Sequence, residues 1–462
     1  MLRAVLKWFG SRAEFLVFFT FFSYLITAPI GTNFVIYRTC YTVLDFNQSA
    51  CAKLGTKDTD EETQAMEKTV QPYANMITMT QSALTLIVPT ILCLFIGPWS
   101  DRNGRKPIML FTILGFIIRG IVTLIVALID NLSPWYLLIG NVPAAMFGGI
   151  APLMMAVICF ITDVTTEENR GFRMGMVDAM MALGMLLGTL CSSFVFEAGG
   201  YVLIYGLDLL INILACLYAR FIIRESIPEN LADEPIFTFE NIKNMFRATF
   251  RRRENYGRAI LLTTFCVSTI SIFVLTADSS VLFLFLREKL HWDLQHYTLY
   301  SSVTSLAGIV GTFVGVGLLN KLLKIPETPL MIVGCLSYLG SSMFQGFAVQ
   351  DWYIYAAAGI RSFYGIINPM GRSLISKLLS KEETGKVFAI AVTLDSVIAV
   401  IGGPIYTIVY NNTIDTNAGI FNFVSAGMCV IAIVLVIVVM VIQRRQRTAH
   451  SYTSLLVNPD EE

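Results

Sequence analysis

What limits this chain most is a succession of apolar windows, each about as long as a lipid bilayer's hydrocarbon core is thick. A helix needs roughly 20 apolar residues to cross that core. Twelve such windows run along the sequence, at approximately 14–37, 73–100, 107–129, 135–162, 174–196, 201–223, 259–286, 297–320, 329–349, 352–376, 387–410 and 418–442. In lipid a segment must satisfy its own backbone hydrogen bonds, so windows of this length are helices. The first follows Arg3, Lys7 and Arg12, as a signal peptide would. Its apolar run is too long for that, and no small-x-small cleavage site ends it. The composition agrees, being 55% hydrophobic and 14% charged over 462 residues. The charges balance, 33 basic against 33 acidic, so nothing points to nucleic acid. The expected fold class is an all-α membrane protein of twelve transmembrane helices.

Basic residues orient such a bundle, because Lys and Arg concentrate in cytoplasmic loops. With a cytoplasmic N-terminus, the outer segments hold only Arg38, Lys53, Lys57, Lys68, Arg287 and Lys289, while Arg119, Arg361 and Arg372 fall inside spans. The remaining 24 of the 33 basic residues lie inside, so both termini are expected in the cytoplasm. The sequons at Asn47, Asn131 and Asn411 then all fall in outer loops, as glycosylation requires. Cys40 and Cys51 share the first outer loop with Asn47, which makes a disulfide the favoured reading and two free thiols the alternative. The other seven cysteines lie in spans and read as packing residues.

One long internal segment, 224–258, divides the chain into residues 1–223 and 259–443, six spans each, with a tail at 444–462. Two six-helix bundles joined by a basic linker are the layout of carriers that bind substrate at the midplane between similar halves. Within the linker, FENIKNMFRATFRRR has the pattern of an amphipathic piece lying on the anionic inner leaflet. In the tail, Tyr452-Thr-Ser-Leu455 matches a tyrosine-based sorting pattern.

Between the second and third windows stands GPWSDRNGRKP, residues 97–107, four charges in an otherwise apolar stretch. Gly97 and Gly104 are expected to supply tight turns there. Asp101, with the donors Arg102, Arg105 and Lys106, is expected to form a charged latch that holds one conformation and breaks in another. The pattern G-x-x-x-D-R-x-G-R-[KR] at this place resembles the signature loop of the major facilitator superfamily, whose twelve-helix fold would cover essentially the whole chain. Together with ITDVTTEENRGFRMGMVDA (161–179) and NPMGRSLISKLLSKEETGKVFA (368–389), it resembles more narrowly the proton-coupled folate transporter family. That group also holds the thymic stromal co-transporter and a lysosomal relative.

Ionisable residues within spans are costly and default to function. Here they are Arg119, Asp178, Asp208, Asp278, Arg361, Arg372 and Asp395. An arginine stays charged and can clamp an anion, whereas an aspartate can exchange a proton as its partners change. The resemblance implies substrate binding and proton coupling for Arg372, and proton coupling for Asp178. Arg361 and Asp395 rest on their place in the spans alone, and Asp278 matches a family aspartate of open role. The expected substrate anchors are thus Arg372 and Arg361, with Asp178, Asp395 and Asp278 as proton carriers. Four departures point away from folate: Gly149, Asn141 and Phe273 stand where the folate transporter has an aspartate, an arginine and a histidine, and Asp178 replaces its longer glutamate. A muropeptide-like or cyclic-dinucleotide-like anion fits as well.

No nucleotide-binding loop, H-E-x-x-H, Cys/His cluster or G-x-S-x-G occurs, so the chain reads as no enzyme, with no cofactor or metal and a proton gradient as its engine. The expected partners are a small organic anion, protons and the bilayer, at the plasma or endolysosomal membrane. The expected function is proton-coupled symport of a folate-like or related anion by alternating access. A drug–proton antiporter and a non-transporting receptor or scaffold are the alternatives.

Overall fold

The computed structural model describes residues 12–52, 54, 61–227, 238–253, 255–292, 294–380 and 382–457. Arg3, Lys7, Lys53, Lys57 and linker residues 228–237 lie outside them, as do the side chains of Tyr452 and His450. Every regular element described is helical. The first six membrane legs are α1 (Glu14–Thr42), α2 (Glu61–Asn103), α3 (Lys106–Leu128), α4 (Pro134–Val164), α5 (167–198) and α6 (201–222). Six more follow, α7 (Gly257–Leu290), α8 (294–322), α9 (Glu327–Gly346), α10 (351–377), α11 (Thr384–Asn417) and α12 (Ile420–Val457). Among the described residues, nine helices are long and apolar enough to cross a membrane; one of these, Glu167–Ile222, is α5 and α6 joined at non-helical Gly199–Gly200.

Contacts divide the chain into two units: Met1–Val164 with Met180–Ile242, and Thr165–Ala179 with Lys243–Glu462. The expected boundaries lay at 223 and 259. The first turns of α5 instead join the second unit, where Phe172 packs against its core and the Lys321 ammonium sits 4.2 Å from the Phe172 ring centre. Arg170 adds a 3.3 Å hydrogen bond to Ser376 of α10. The expected linker is partly ordered as a helix, Phe239–Phe250, which buries Met245, Ala248 and Thr249. The expected polar tail starts as a continuation of α12, which runs to Val457.

In the first unit α1, α3, α4 and α6 close on a core that includes Ile26, Phe34, Val126, Leu137 and Tyr205. Gly184 and Gly188 of α5 let that helix approach α1 closely: a Cβ at either would stand 2.7 Å from the carbonyl oxygen of Phe18 or Phe22. Arg38 is buried in the last turns of α1 rather than in a loop. It donates to the carbonyls of Val126, Ala127 and Ile129 at 2.9–3.1 Å, where α3 ends and its last carbonyls lose their helical partners. Cys40 is likewise helical and is joined to Cys51 at the end of the short helix Gln48–Cys51.

Among its described residues, the second unit holds a core around Val267, Met331, Tyr338 and Met370, another around Phe285, Tyr300, Tyr406 and Phe421, and a smaller cluster of Ile260, Leu374 and Val439. Its tenth leg is not uniform. A 3-10 segment, Ser362–Ile366, separates an α-helix ending at Arg361 from one starting at Ile367. Such a tightening inside a helix often marks a hinge. Gly311 and Gly315 of α8 pack directly on this segment, against Ser362 and Ile366.

Candidate functional site

The loop expected over residues 97–107 shrinks to Gly104 and Arg105, because α2 runs to Asn103 and α3 begins at Lys106. Gly97 is an ordinary helical residue of α2 and makes no turn, contrary to expectation. Gly104 makes the turn, at φ +95°. Arg105, fully buried, reaches Asp101 at 2.7 Å and Asp163 of α4 at 3.1 Å, and donates to Ser100. Asp101 therefore pairs with Arg105. Glu225, just past α6, accepts the backbone N–H of Arg105 (2.9 Å), Lys106 (3.0 Å) and Ser226 (2.8 Å). Lys106 answers with hydrogen bonds to the Arg220 and Ile223 carbonyls at 2.7 and 2.8 Å. A carboxylate at the N-terminus of α3 and an ammonium at the C-terminus of α6 both complement helix dipoles. Sequence reading missed Asp163 and Glu225. Asp163 stood within the quoted run 161–179, but nothing paired either residue with Arg105.

Deeper in the first unit, Asp208 of α6 accepts from Ser23 of α1 and from Asn212 (3.1 Å), with the Arg119 guanidinium 3.9 Å away. The rings of Phe116 and Tyr24 flank that guanidinium at 5.4 and 5.8 Å. Arg119 and Asp208 thus form a pair supported by hydroxyl and amide donors.

The second unit holds the other intramembrane charges in two groups. Arg372 of α10 binds Asp178 of α5 at 2.7 Å, with 19% and 14% of the side chains exposed. Asp395 of α11 lies within electrostatic reach of both. Arg361 is placed differently. It makes no ion pair among the described residues, and its guanidinium lies 4.5 Å from the Tyr338 ring and 5.8 Å from the Tyr364 ring. Asp278 of α7 is 2% exposed and accepts from Tyr338 and, at 2.6 Å, from Ser425 of α12. Arg361 and Arg372 stand eleven positions apart, a rise of about 16 Å, so the two expected anchors are separate. Tyr338, Tyr364 and Ser425 were not legible as site residues, since hydroxyls in spans carry no signal until a charge is found against them.

The sequons fall in three settings. Asn47 is exposed, and its Oδ1 accepts from Ser49 N (3.0 Å) and Oγ (2.9 Å). Asn131 is exposed in the turn after α3. Asn411 is exposed but helical, within α11, instead of in the expected loop.

With this geometry in place, relatives can be compared. The family model described as Major Facilitator Superfamily matches residues 13–404. A Drosophila melanogaster protein named "Probable peptidoglycan muropeptide transporter SLC46" is 30% identical over 90% of this chain and 82% of its own length. The "Proton-coupled folate transporter" of Bos taurus is 22% identical over 91% of this chain and 90% of its own. Among solved structures, that of the human organic anion transporter MFSD10 (TETRAN) superposes with a TM-score of 0.67 at 13% identity, over 92% of this chain and 99% of that one, a likeness of fold. These named relatives are transporters, which sets the chain among carriers and not enzymes. Twelve membrane legs, a buried Asp101–Arg105–Asp163 joint, a family match over most of the chain and a 30% identical relative converge: this multi-pass membrane protein belongs to the major facilitator superfamily and, within it, to the solute carrier 46 family.

Proposed function

We propose that this protein is a proton-coupled symporter of an organic anion, working by alternating access. The observation that carries the reading is the Arg372–Asp178 pair, short at 2.7 Å yet left partly exposed on both sides. An arginine stays charged in any surroundings, while a carboxylate facing it can take up a proton. Protonation of Asp178 breaks the pair and releases Arg372 to hold a substrate carboxylate or other acid group. Asp395 provides a second carboxylate for the same arginine as Asp178 changes state. Arg361 supplies a second cation for the anion, and Asp101 with Arg105 forms the latch whose opening accompanies transport.

A carboxylate-bearing anion of the muropeptide class is favoured over folate. The 30% identical relative carries that name, whereas the folate transporter is 22% identical. Gly149, Asn141 and Phe273 also replace the folate transporter's polar residues. Both termini face the cytoplasm at the plasma or endolysosomal membrane, and no cofactor beyond the proton gradient takes part.

The test is uptake of labelled muramyl dipeptide and labelled folate by cells bearing the protein at their surface, at acidic and neutral external pH. Muramyl dipeptide uptake should rise with acidity and lose that dependence in Asp178→Asn. Acid-stimulated uptake that persists in Asp178→Asn at normal surface level would remove Asp178 from the mechanism.

A further inference from the structure

The Asp278 group has a property that the Arg372–Asp178 pair lacks. In its ionised form both carboxylate oxygens are met by donors, Oδ2 by the Tyr338 hydroxyl and Oδ1 by Ser425 Oγ. Burial at 2% exposure leaves no water to repair a mismatch, so a protonated Asp278 needs an acceptor of its own. Ser425 offers one. Its Oγ lies 2.6 Å from Asp278 Oδ1 and also 3.1 Å from the backbone carbonyl of Phe421, one turn earlier on α12. When Oδ1 carries the proton, the Ser425 hydroxyl turns to that carbonyl and accepts from the acid instead of donating to it. Tyr406, 2.9 Å from Ser425 Oγ, supplies a donor on the far side. Tyr338 keeps donating to Oδ2 in both states. A single hydroxyl rotation therefore satisfies every group before and after the proton arrives.

We propose that Asp278 is a second proton-carrying site, separate from the Arg372–Asp178 pair, with Ser425 the positioning residue that keeps its protonated form hydrogen-bonded and Arg361 the cation whose charge it balances. The charged or titratable groups around Asp278 are Arg361 on α10, Tyr338 on α9, Tyr300 on α8, Tyr406 on α11 and Cys429 on α12. Arg361 is the one permanent charge in that set. It makes no ion pair with Asp278, and its guanidinium carbon lies over the Tyr338 and Tyr364 rings at 4.5 and 5.8 Å. Neutralising Asp278 leaves Arg361 with its charge uncompensated and its edge donors open to a carboxylate, which binds such a fork in bidentate fashion. The Arg361 subsite thus takes an acid group, and the proton on Asp278 sets its affinity. This last step rests on the symport reading above; the proton site itself does not.

Infrared difference spectroscopy of the purified full chain, acidic minus neutral, reads the carbonyl stretch of each buried acid that forms. The expected spectrum holds one band that is lost in Asp278→Asn and retained in Asp178→Asn. In Ser425→Ala that band moves to the higher frequency of an acid without a hydrogen-bond acceptor, and Ser425→Thr restores it. An acid spectrum unchanged by Asp278→Asn overturns the proton site. A band unmoved in Ser425→Ala overturns the role of Ser425. Uptake of labelled muramyl dipeptide separates the two readings. If no variant or parent transports it while the band behaves as expected, the proposed function fails and the proton site stands. If the parent transports and the half-saturating concentration rises at neutral relative to acidic pH equally in parent and Asp278→Asn, the link to Arg361 is overturned.

Discussion

Glu225 offers a severe test of how the joint between α2, α3 and α6 is held, because nothing about transport enters the reasoning. Its Oε1 accepts from the backbone amides of Arg105 and Ser226, and its Oε2 from that of Lys106. In Glu225→Gln the oxygen that remains can serve one side, while the new amide nitrogen turns a donor towards a donor. The loss is one charge-assisted hydrogen bond, worth about 1.5–3 kcal/mol, plus an anion at a helix N-terminus, worth about 0.3–1 kcal/mol. Glu225 is only partly buried, so solvent screening brings the expected cost to about 2 kcal/mol. At about 2–4 °C per kcal/mol for a unit of this size, melting should fall by about 4–8 °C. The free thiols of Cys93 and Cys159 are buried in this unit, so a thiol-reactive dye reports its unfolding in detergent. Glu288→Gln, at an exposed position on α7, is the control. A melting temperature for Glu225→Gln no lower than the control would refute the account. Gly104 sharpens the test, since a Cβ there would stand 2.5 Å from the Glu225 carboxylate at φ +95°. Gly104→Ala should cost much less in a Glu225→Ala background, where only the backbone strain remains, and strictly additive effects would mean that the two do not touch.

Gly188→Ala places a methyl group 2.7 Å from the Phe22 carbonyl oxygen, a neighbour that cannot rotate away, so about 1–3 kcal/mol of stability should be lost in the same melting assay. Opening the Cys40–Cys51 bridge with paired alanines frees a loop with a sequence separation of 11, worth about 3 kcal/mol on the chain-entropy account, and melting should become insensitive to reductant. Arg372→Lys keeps the charge and loses the planar fork, so acid-driven uptake of the muramyl dipeptide probe should survive with a raised half-saturating concentration, whereas Arg372→Ala should abolish it.

The spans were legible because lipid leaves the backbone no alternative to a helix and the side chains little alternative to being apolar. Legibility failed where apolarity stopped being the governing term. The apolar window closing at Tyr410 made Asn411 look like a loop residue, yet α11 continues to Asn417, with Asn412 and Thr413 side chains also bonding to the Ile408 and Val409 carbonyls. Gly97 looked like a turn because it is a glycine opening a charged stretch, but it lies with Asp101 and Arg102 on the end of α2, and the turn needs only the one left-handed residue at Gly104. Asp101 and Arg105 were readable as members of one charged cluster; Glu225 was not, because the contact it makes spans 120 positions of sequence. The hydroxyls of Tyr338 and Ser425 were silent for a different reason. In a span either residue reads as packing, and only the position of Asp278 between them turns two commonplace side chains into a site.

The departure at Gly149 shows how such a difference reaches the substrate. Aligned with an aspartate of the folate transporter, it reads in sequence as the loss of one polar group. In the structure Gly148 and Gly149 sit at φ +113° and +57°, and α4 is broken there between Leu137–Met146 and Ile150–Val164. A Cβ at Gly149 would stand 2.9 Å from the Pro89 ring of α2, and one at Gly148 would stand 2.9 Å from Thr112 of α3. Any side chain at these positions must therefore move a proline ring or a neighbouring helix and occupy backbone conformations that L-residues resist. Restoring the aspartate alone would strain the break in α4 before it could present a carboxylate. On the proposed reading, the backbone of α4 disfavours folate as well as its side chains do, so the two arginines of α10, and not a rebuilt folate contact, are where the substrate should be sought.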